Sequence, residues 1–340
     1  MVLVPGRLLE GPAVWHGRHL SKSNLWLRRF SPGECDRLRA DLERVRHKAL
    51  REIIRSDFGP AELFDEIRTE VLHGRGFVLL RGIDLEDFSI EDAARLFWGV
   101  GAHFGRALPQ NAKGHMLGHV KDLGLRADDP HVRLYQTTER QGFHTDSCDV
   151  VGLLCLSKAR RGGLSRLAST WTAYNEAFRR RPDQARMLFE PIGTDHRGEH
   201  PPGARPWFSI PILNWHQDRL IGMYQRRYIE SAQRFPDVPR LSDRQREALD
   251  LFDEILEEIS IPMEFEPGDI QLVHNHQILH DRSAYEDDPQ KPRHLLRLWL
   301  SPHDGWPLPP VFAERFGNVT PGDRGGIRIP GLAPAVSLTP

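Results

Sequence analysis

The chain has 340 residues, 39% hydrophobic and 27% charged, enough apolar material for one or two domains with a large core at about 150 residues per domain. Lys plus Arg total 46 against 47 for Asp plus Glu, a formal net charge of -1, so no global field favours nucleic acid or an anionic membrane. Cys35, Cys148 and Cys155 are too few for a disulfide framework and lack zinc-ribbon spacing.

The opening MVLVPGRLLEGP has no basic start followed by a continuous apolar stretch, and a cytoplasmic globular protein is expected. Residues 60–73 place Leu63, Phe64, Ile67 and Val71 on one helical face, with Pro60 opening the segment and Gly74 closing it. GFVLL, residues 76–80, predicts a buried strand with Arg81-Gly82 as its turn. Ser89 with Asp92 starts a second helix carrying Ala93, Leu96, Phe97 and Val100. After Gly101 short apolar runs follow at 132–136, 150–156, 208–213, 219–224, 270–273 and 295–300, separated by Gly, Pro and Asp. The run 150–156 has a strand's length, far below the roughly 20 residues that span a bilayer. Many short strands with turn signals predict a mainly β protein of sandwich or jelly-roll type with helical additions. One late helix interrupts them, opened by the Ser242–Gln245 capping box and faced with Leu249, Phe252, Ile255 and Leu256. From Pro302 the chain is dense in Pro and Gly and is expected to wrap the surface as coil. A single domain follows: a helix-rich part at about 30–105, a core at about 106–301 with a helical insert at about 242–258, and a tail at 302–340.

Of the 17 histidines, most need no special role. Two His-x-Asp triplets occur. His216-Gln217-Asp218 lies between two apolar runs and predicts a hairpin tip. His144-Thr145-Asp146 comes just before the strand 150–156. In an extended segment residues i and i+2 share a face, roughly 6.5–7 Å apart along the chain, so one imidazole and one carboxylate can converge on a cation. A third ligand would come from a distant segment; His280 is the candidate, with His274 and His276 as competitors. Two histidines and one carboxylate with open positions form the facial triad of non-heme Fe(II) oxygenases. In RHLLRLWL, residues 293–300, period two puts Arg293, Leu295, Arg297 and Trp299 on one face and His294, Leu296, Leu298 and Leu300 on the other. Two inward arginines need anionic partners, either a small dicarboxylate gripped in bidentate fashion or acidic side chains of neighbouring strands.

With these residues in place the chain resembles the TauD/TfdA-like Fe(II)- and 2-oxoglutarate-dependent dioxygenases of the clavaminate-synthase-like group. The resemblance runs from about Gly76 to Leu300 through FHTDS at 143–147, RGGLS at 161–165, EPGDIQL at 266–272, ILHDRSAYED at 278–287 and RHLLRLWL at 293–300. It implies a double-stranded β-helix (jelly-roll) core, with His144, Asp146 and His280 as metal ligands and catalytic centre. Arg293 would grip the distal carboxylate of 2-oxoglutarate, and Ser165 would help bind the same group where relatives usually have Thr. Arg297 would lie near the substrate anion or the cosubstrate. The implied activity uses Fe(II), 2-oxoglutarate and O2, with ascorbate as an in vitro reductant, and yields succinate and CO2 while oxidising a small organic acid or amino-acid-like metabolite. Hydroxylation is the default outcome; desaturation or ring closure would use the same oxidant.

Trp171, Tyr174 and Trp299 are aromatic candidates near the site, with core packing the preferred role. Cys148 and Cys155 are read as small buried hydrophobes. Because Arg297 shares the inward face with Arg293, a second anion is expected there, hence a small anionic substrate. No nucleic-acid or membrane partner is expected, and a homo-oligomer stays open. Two rivals keep the triad out of this chemistry. A cupin-like metal hydrolase or isomerase would not need Arg293, and a non-catalytic metabolite-binding module would commonly carry a broken triad.

Overall fold

Leu296, Leu298 and Leu300 alternate with Arg297, Trp299 and Ser301 along the strand His294–Ser301, and that alternation divides the molecule into an apolar outer layer and a polar interior. In the computed structural model, which describes residues 4–129, 132–200 and 203–340, this strand belongs to a seven-stranded sheet. The order is Leu27–Arg29, Phe77–Arg81, Ile270–His274, Val150–Ser157, His294–Ser301 and Arg106–Ala107, with Leu117–Val120 also on His294–Ser301. Only the first pair is parallel. A second sheet runs Ile261–Met263, Ser165–Ser169, Ile278–Arg282, Gln141–His144, all antiparallel. Two sheets enclosing a polar interior are the jelly-roll core expected.

The outer face of the larger sheet is covered by the helices Pro32–Val45, Ala61–His73 and Ile90–Gly101. Phe64, Leu72, Phe97 and Val100 pack there with Leu272, Leu296, Leu298 and Leu300. Phe97 is fully buried, and truncation to alanine would cost about 3–5 kcal/mol. The two helices read from sequence start where expected, after Pro60 and on the Ser89 cap that accepts from the Asp92 amide. The strand Phe77–Arg81 is shifted one residue from the reading: Arg81 pairs with Arg29, and the chain from Gly82 is irregular up to a turn at Glu86-Asp87. On the smaller sheet, Ala168 and Leu279 meet Phe252, Ile255 and Leu256 of the helix Asp243–Ile259, which opens on the expected Ser242–Gln245 box.

Four expectations need correction. The run 132–136 is not a strand: Leu134–Gln136 is a 3-10 turn, closed where the Gln136 side chain accepts from the Arg133 amide at 3.2 Å. The run 208–213 is divided, its two parts lying in the strands Trp207–Ser209 and Leu213–His216 with Pro211 between them. The late helix is not alone, because Thr170–Arg180, Pro182–Met187 and Arg226–Ala232 also interrupt the strands. Thr170, Trp171, Thr172 and Tyr174 carry β propensity, yet the Ser169 cap and burial of Tyr174 and Ala177 against Phe252 make that stretch helical. The tail is more than surface coil. Trp306, Leu308, Phe312 and Phe316 enter a core cluster with Phe208 and Ile221, and fully buried Arg324 clamps Asp149 at 2.6 Å. No described helix is long and apolar enough to cross a membrane.

Candidate metal and cosubstrate site

His280 on Ile278–Arg282 faces His144 on Gln141–His144 as a direct cross-strand pair, with ring centroids 4.1 Å apart. Asp146 lies two residues past His144, beyond the end of the strand. Buried Asn275 holds that segment: its amide oxygen accepts from the Asp146 amide at 2.8 Å, and its nitrogen donates to the carbonyls of Asp146 and Cys148. Strand pairing and this clamp bring one ligand atom from each of His144, Asp146 and His280 within 4.8 Å of one another. The competitors lie elsewhere. His276 bonds Asp149 at 3.0 Å, and the His274 ring lies tilted against Trp306 with centroids 4.5 Å apart. His216 and Asp218 sit at a hairpin tip, where Gln217 and Asp218 both take left-handed φ values of 46° and 58°, as the two-residue turn requires.

The protonation states suit a cation. Burial drives His280 down to about 3, with help from neighbouring His144, and burial lowers His144 as well. Burial opposes ionisation of Asp146, but the Arg297 guanidinium and the two imidazoles outweigh it and hold the carboxyl below its usual range. Neutral imidazoles and an ionised carboxylate are the forms that bind metal. His144 Nδ1 donates to the Gly142 carbonyl at 2.9 Å, which makes Nε2 the unprotonated nitrogen, here accepting from the Gln141 amide at 3.0 Å. Trp299 Nε1 donates to Asp146 Oδ2 at 2.8 Å. Trp299 packs in a core cluster as expected and adds this bond to Asp146; Trp171 and Tyr174 sit in or against the apolar cluster. Cys148 and Cys155 are buried, with burial pushing the Cys155 thiol up to about 12.

One cavity beside the triad is lined by His144, His280, Ser165, Arg293, Arg282 and Arg297. Arg293 is 3% exposed, its Nη1 has no hydrogen-bond partner among the described residues, and burial lowers its pKa. It lies 5.2 Å from the Tyr285 ring and makes no ion pair among the described residues. The glycines of RGGLS make room here. Gly162 and Gly163 both have left-handed φ, and a Cβ on Gly163 would stand 3.1 Å from Arg293 Nε. Ser165 Oγ lies 3.2 Å from the Gln271 amide nitrogen, a neighbour that no spacing rule announced.

A second cavity shares His144 and Arg297 with the first, adds Asp146, and spans about 830 Å³, part of it open solvent. Its other walls include Arg133, Glu199, Tyr228, Trp299 and Arg315. Arg297 is already satisfied: it donates to Asp146 Oδ2 at 3.3 Å and to Gln110 Oε1 at 2.8 Å. The second anion expected beside it is Asp146, so Arg297 does not by itself demand an anionic substrate. Gln110, Arg133, Glu199, Tyr228 and Arg315 escaped the sequence reading because they come from a loop, a 3-10 turn, a helix and the tail, with no shared period.

A sequence model described as "Taurine catabolism dioxygenase TauD, TfdA family" matches residues 55–299. The chain is 29% identical over 328 residues to "FR-33289 synthase" of Streptomyces rubellomurinus (strain ATCC 31215), covering 91% of this chain and 95% of that protein. It is 30% identical over 253 residues to "Taurine hydroxylase-like protein SAT17" of Stachybotrys chartarum (strain CBS 109288 / IBT 7711), covering 70% and 64%. Among solved structures, an asparagine oxygenase in complex with Fe(II), 2S,3S-3-hydroxyasparagine and succinate superposes with a TM-score of 0.64 at 13% identity, over 81% of this chain and 93% of that one. The non-heme iron oxygenase OrfP in complex with Fe and alpha-ketoglutaric acid gives 0.63 at 16% identity, again over 81% and 93%. With a family match over most of the chain and a jelly roll that gathers the His-x-Asp and distal His, the chain belongs to the TauD/TfdA family and is a non-heme iron, 2-oxoglutarate-dependent oxygenase.

Proposed function

We propose that this chain oxidises, most simply by hydroxylation, a small organic acid or amino-acid-like metabolite in the second cavity. His144, Asp146 and His280 would hold Fe(II), and Arg293 with Ser165 would hold 2-oxoglutarate. The observation that carries the reading is Arg293: a buried guanidinium with an unpartnered Nη1, lining one cavity with both histidines of the triad. A buried cation without a partner is costly, and a dicarboxylate that reaches the metal at one end would satisfy it at the other. A cupin-like hydrolase or isomerase has no use for that cation, and an intact triad does not suit a non-catalytic module. The structural neighbours bound to 3-hydroxyasparagine and hydroxyarginine support the amino-acid class.

The bound iron and 2-oxo acid would supply the oxidising chemistry, with succinate and CO2 as co-products. The protein's share is positional. Trp299 and Arg297 both donate to Asp146 Oδ2, so they orient that carboxylate and leave Oδ1 less encumbered. The Gly142 carbonyl fixes the His144 tautomer. The second cavity reaches the triad and gathers polar groups from several separate segments, as small-molecule sites do. The test is succinate release with Fe(II), ascorbate and 2-oxoglutarate, screened over amino acids, sulfonates and other small acids. Turnover that persists without 2-oxoglutarate would sink the proposal.

A further inference from the structure

Six arginines are buried among the described residues: Arg95, Arg197, Arg282, Arg293, Arg297 and Arg324. Three are ion-paired, Arg95 with Glu91, Arg297 with Asp146 and Arg324 with Asp149. Arg282 and Arg293 line the cosubstrate cavity. Arg197 remains. It is 9% exposed, its Nε has no partner, and its other contacts are long, 3.4 Å to Ser231 Oγ and 3.5 Å to the Val132 carbonyl. It also holds φ at 56°, a left-handed conformation disfavoured for a non-glycine residue.

Arg197 belongs to a group. Its guanidinium and that of Arg133 both lie against the Tyr228 ring, 5.4 and 5.2 Å from its centre. Arg133, Arg227 and Arg315 come from three separate segments and line the cavity that holds His144 and Asp146. One carboxylate serves the group: Glu199 lies 2.7 Å from Arg133 and 3.2 Å from Arg315. Arg227 has the Ala127 carbonyl instead of an acid. Four guanidiniums against one carboxylate leave a formal excess of three positive charges, and Arg197 and Arg227 have no ion-pair partner among the described residues.

We infer that the substrate carries a dianionic phosphoryl group, a phosphonate or a phosphate monoester, seated between Arg133, Arg227 and Arg315 with Arg197 behind them. The inference rests on the oxygenase reading and names its substrate class. A carboxylate is satisfied by the planar fork of a single arginine, whereas three arginines on the walls of one cavity offer donors enough for a tetrahedral group with three oxygens. A sulfonate has that shape but one charge fewer, so it leaves more of the excess uncompensated. Arg297, occupied by Asp146, is not needed for this contact.

The test uses the full chain loaded under argon with Fe(II) and saturating 2-oxoglutarate, which blocks the Arg293 site. It is titrated calorimetrically with methylphosphonate, methyl phosphate, methanesulfonate and acetate. At least one phosphoryl probe should bind about tenfold or more tighter than methanesulfonate and acetate, and the two phosphoryl arms separate a phosphonate from an ester. Arg227→Gln and Arg315→Gln should each remove that preference. Equal binding of all four probes, absence of binding, or a preference for methanesulfonate or acetate overturns the inference, and a preference that survives either substitution overturns its placement. Titration of 2-oxoglutarate into each protein before the anion series separates the two levels. Failure of the wild type to bind 2-oxoglutarate sinks the cosubstrate reading, while normal 2-oxoglutarate binding with a flat anion series sinks only the phosphoryl group.

Discussion

Replacing Arg293 by methionine should make the ligand-free protein more stable and its cosubstrate affinity much worse. The side chain is 3% exposed and carries a charge with no ion pair among the described residues. An apolar replacement of similar length removes the cost of burying that charge, and related replacements of buried ionic groups gain about 1–4 kcal/mol. At roughly 2 °C per kcal/mol for a chain of this size, the melting temperature should rise by about 2–8 °C. The same change would delete the charge-assisted bidentate contact proposed for 2-oxoglutarate, on the order of 2–4 kcal/mol, or about 30- to 1000-fold in Kd. The two effects separate in one assay. With a redox-inert divalent metal and 2-oxoglutarate at about 100 times the wild-type Kd, the wild type should gain about 2.7 kcal/mol, and the variant almost nothing. Arg293→Lys should recover part of the affinity, because an ammonium keeps the charge without the planar fork. If Arg293→Met binds 2-oxoglutarate as the wild type does, the carboxylate anchor lies elsewhere. If it melts lower without ligand, the argument from the unpaired charge is wrong.

Other outcomes follow from the same geometry. His280→Ala should abolish turnover and metal binding with little change in the circular dichroism spectrum, whereas His216→Ala, at the hairpin tip, should keep near-wild-type turnover; the opposite result would reassign the His-x-Asp pair. Trp299→Phe deletes the donor to Asp146 Oδ2 and should weaken metal affinity about 10- to 100-fold in a Co(II) titration, and unchanged affinity would leave Trp299 as packing alone. Burial opposes ionisation of Asp149, but His276 and Arg324 outweigh it and hold its pKa at about 2. A depressed carboxyl contributes stability above its unfolded value of 3.8 that disappears as pH falls through the folded value. Urea midpoints should therefore show about 2 kcal/mol lost between about pH 4 and pH 2, and a slope no shallower in Asp149→Asn would contradict this source.

Features visible in the sequence were those tied to a period. The split of Arg297 and Trp299 from Leu296, Leu298 and Leu300 follows from strand alternation alone, and it holds in the sheet. The nearness of His144 and Asp146 was read from extended spacing, and that reading is half right: the two side chains do come together, but Asp146 lies past the strand end and is held by Asn275. Asn275 sits in VHNHQ, where two histidines draw attention and the asparagine does not, although it is the residue that bonds the metal segment. Thr170–Arg180 was missed because its propensities point to a strand, and tertiary burial of Tyr174 overrides them. The tail was missed because Pro and Gly density signals irregular backbone but says nothing about burial. Phe312, Phe316 and Arg324 are irregularly spaced and fully interior.

Charge was the property least legible from composition, for a physical reason. A net charge of -1 from 46 basic and 47 acidic residues describes the far field, which solvent and salt screen beyond about 10 Å. A ligand in a cavity responds to the groups within that distance, and there the balance depends on which acids the fold spends on which bases. Asp149 goes to Arg324, Asp281 to Arg166 and Arg140, and Asp269 to Arg81. Each pairing neutralises an arginine within the scaffold, and among the described buried arginines those left without acids are Arg197, Arg282 and Arg293. Arg282 and Arg293 line the cavity proposed for 2-oxoglutarate, and Arg197 shares the Tyr228 ring with Arg133, which lines the cavity proposed for the substrate. A chain neutral overall can therefore present two cationic cavities, and near-neutral composition is no argument against a highly charged small substrate.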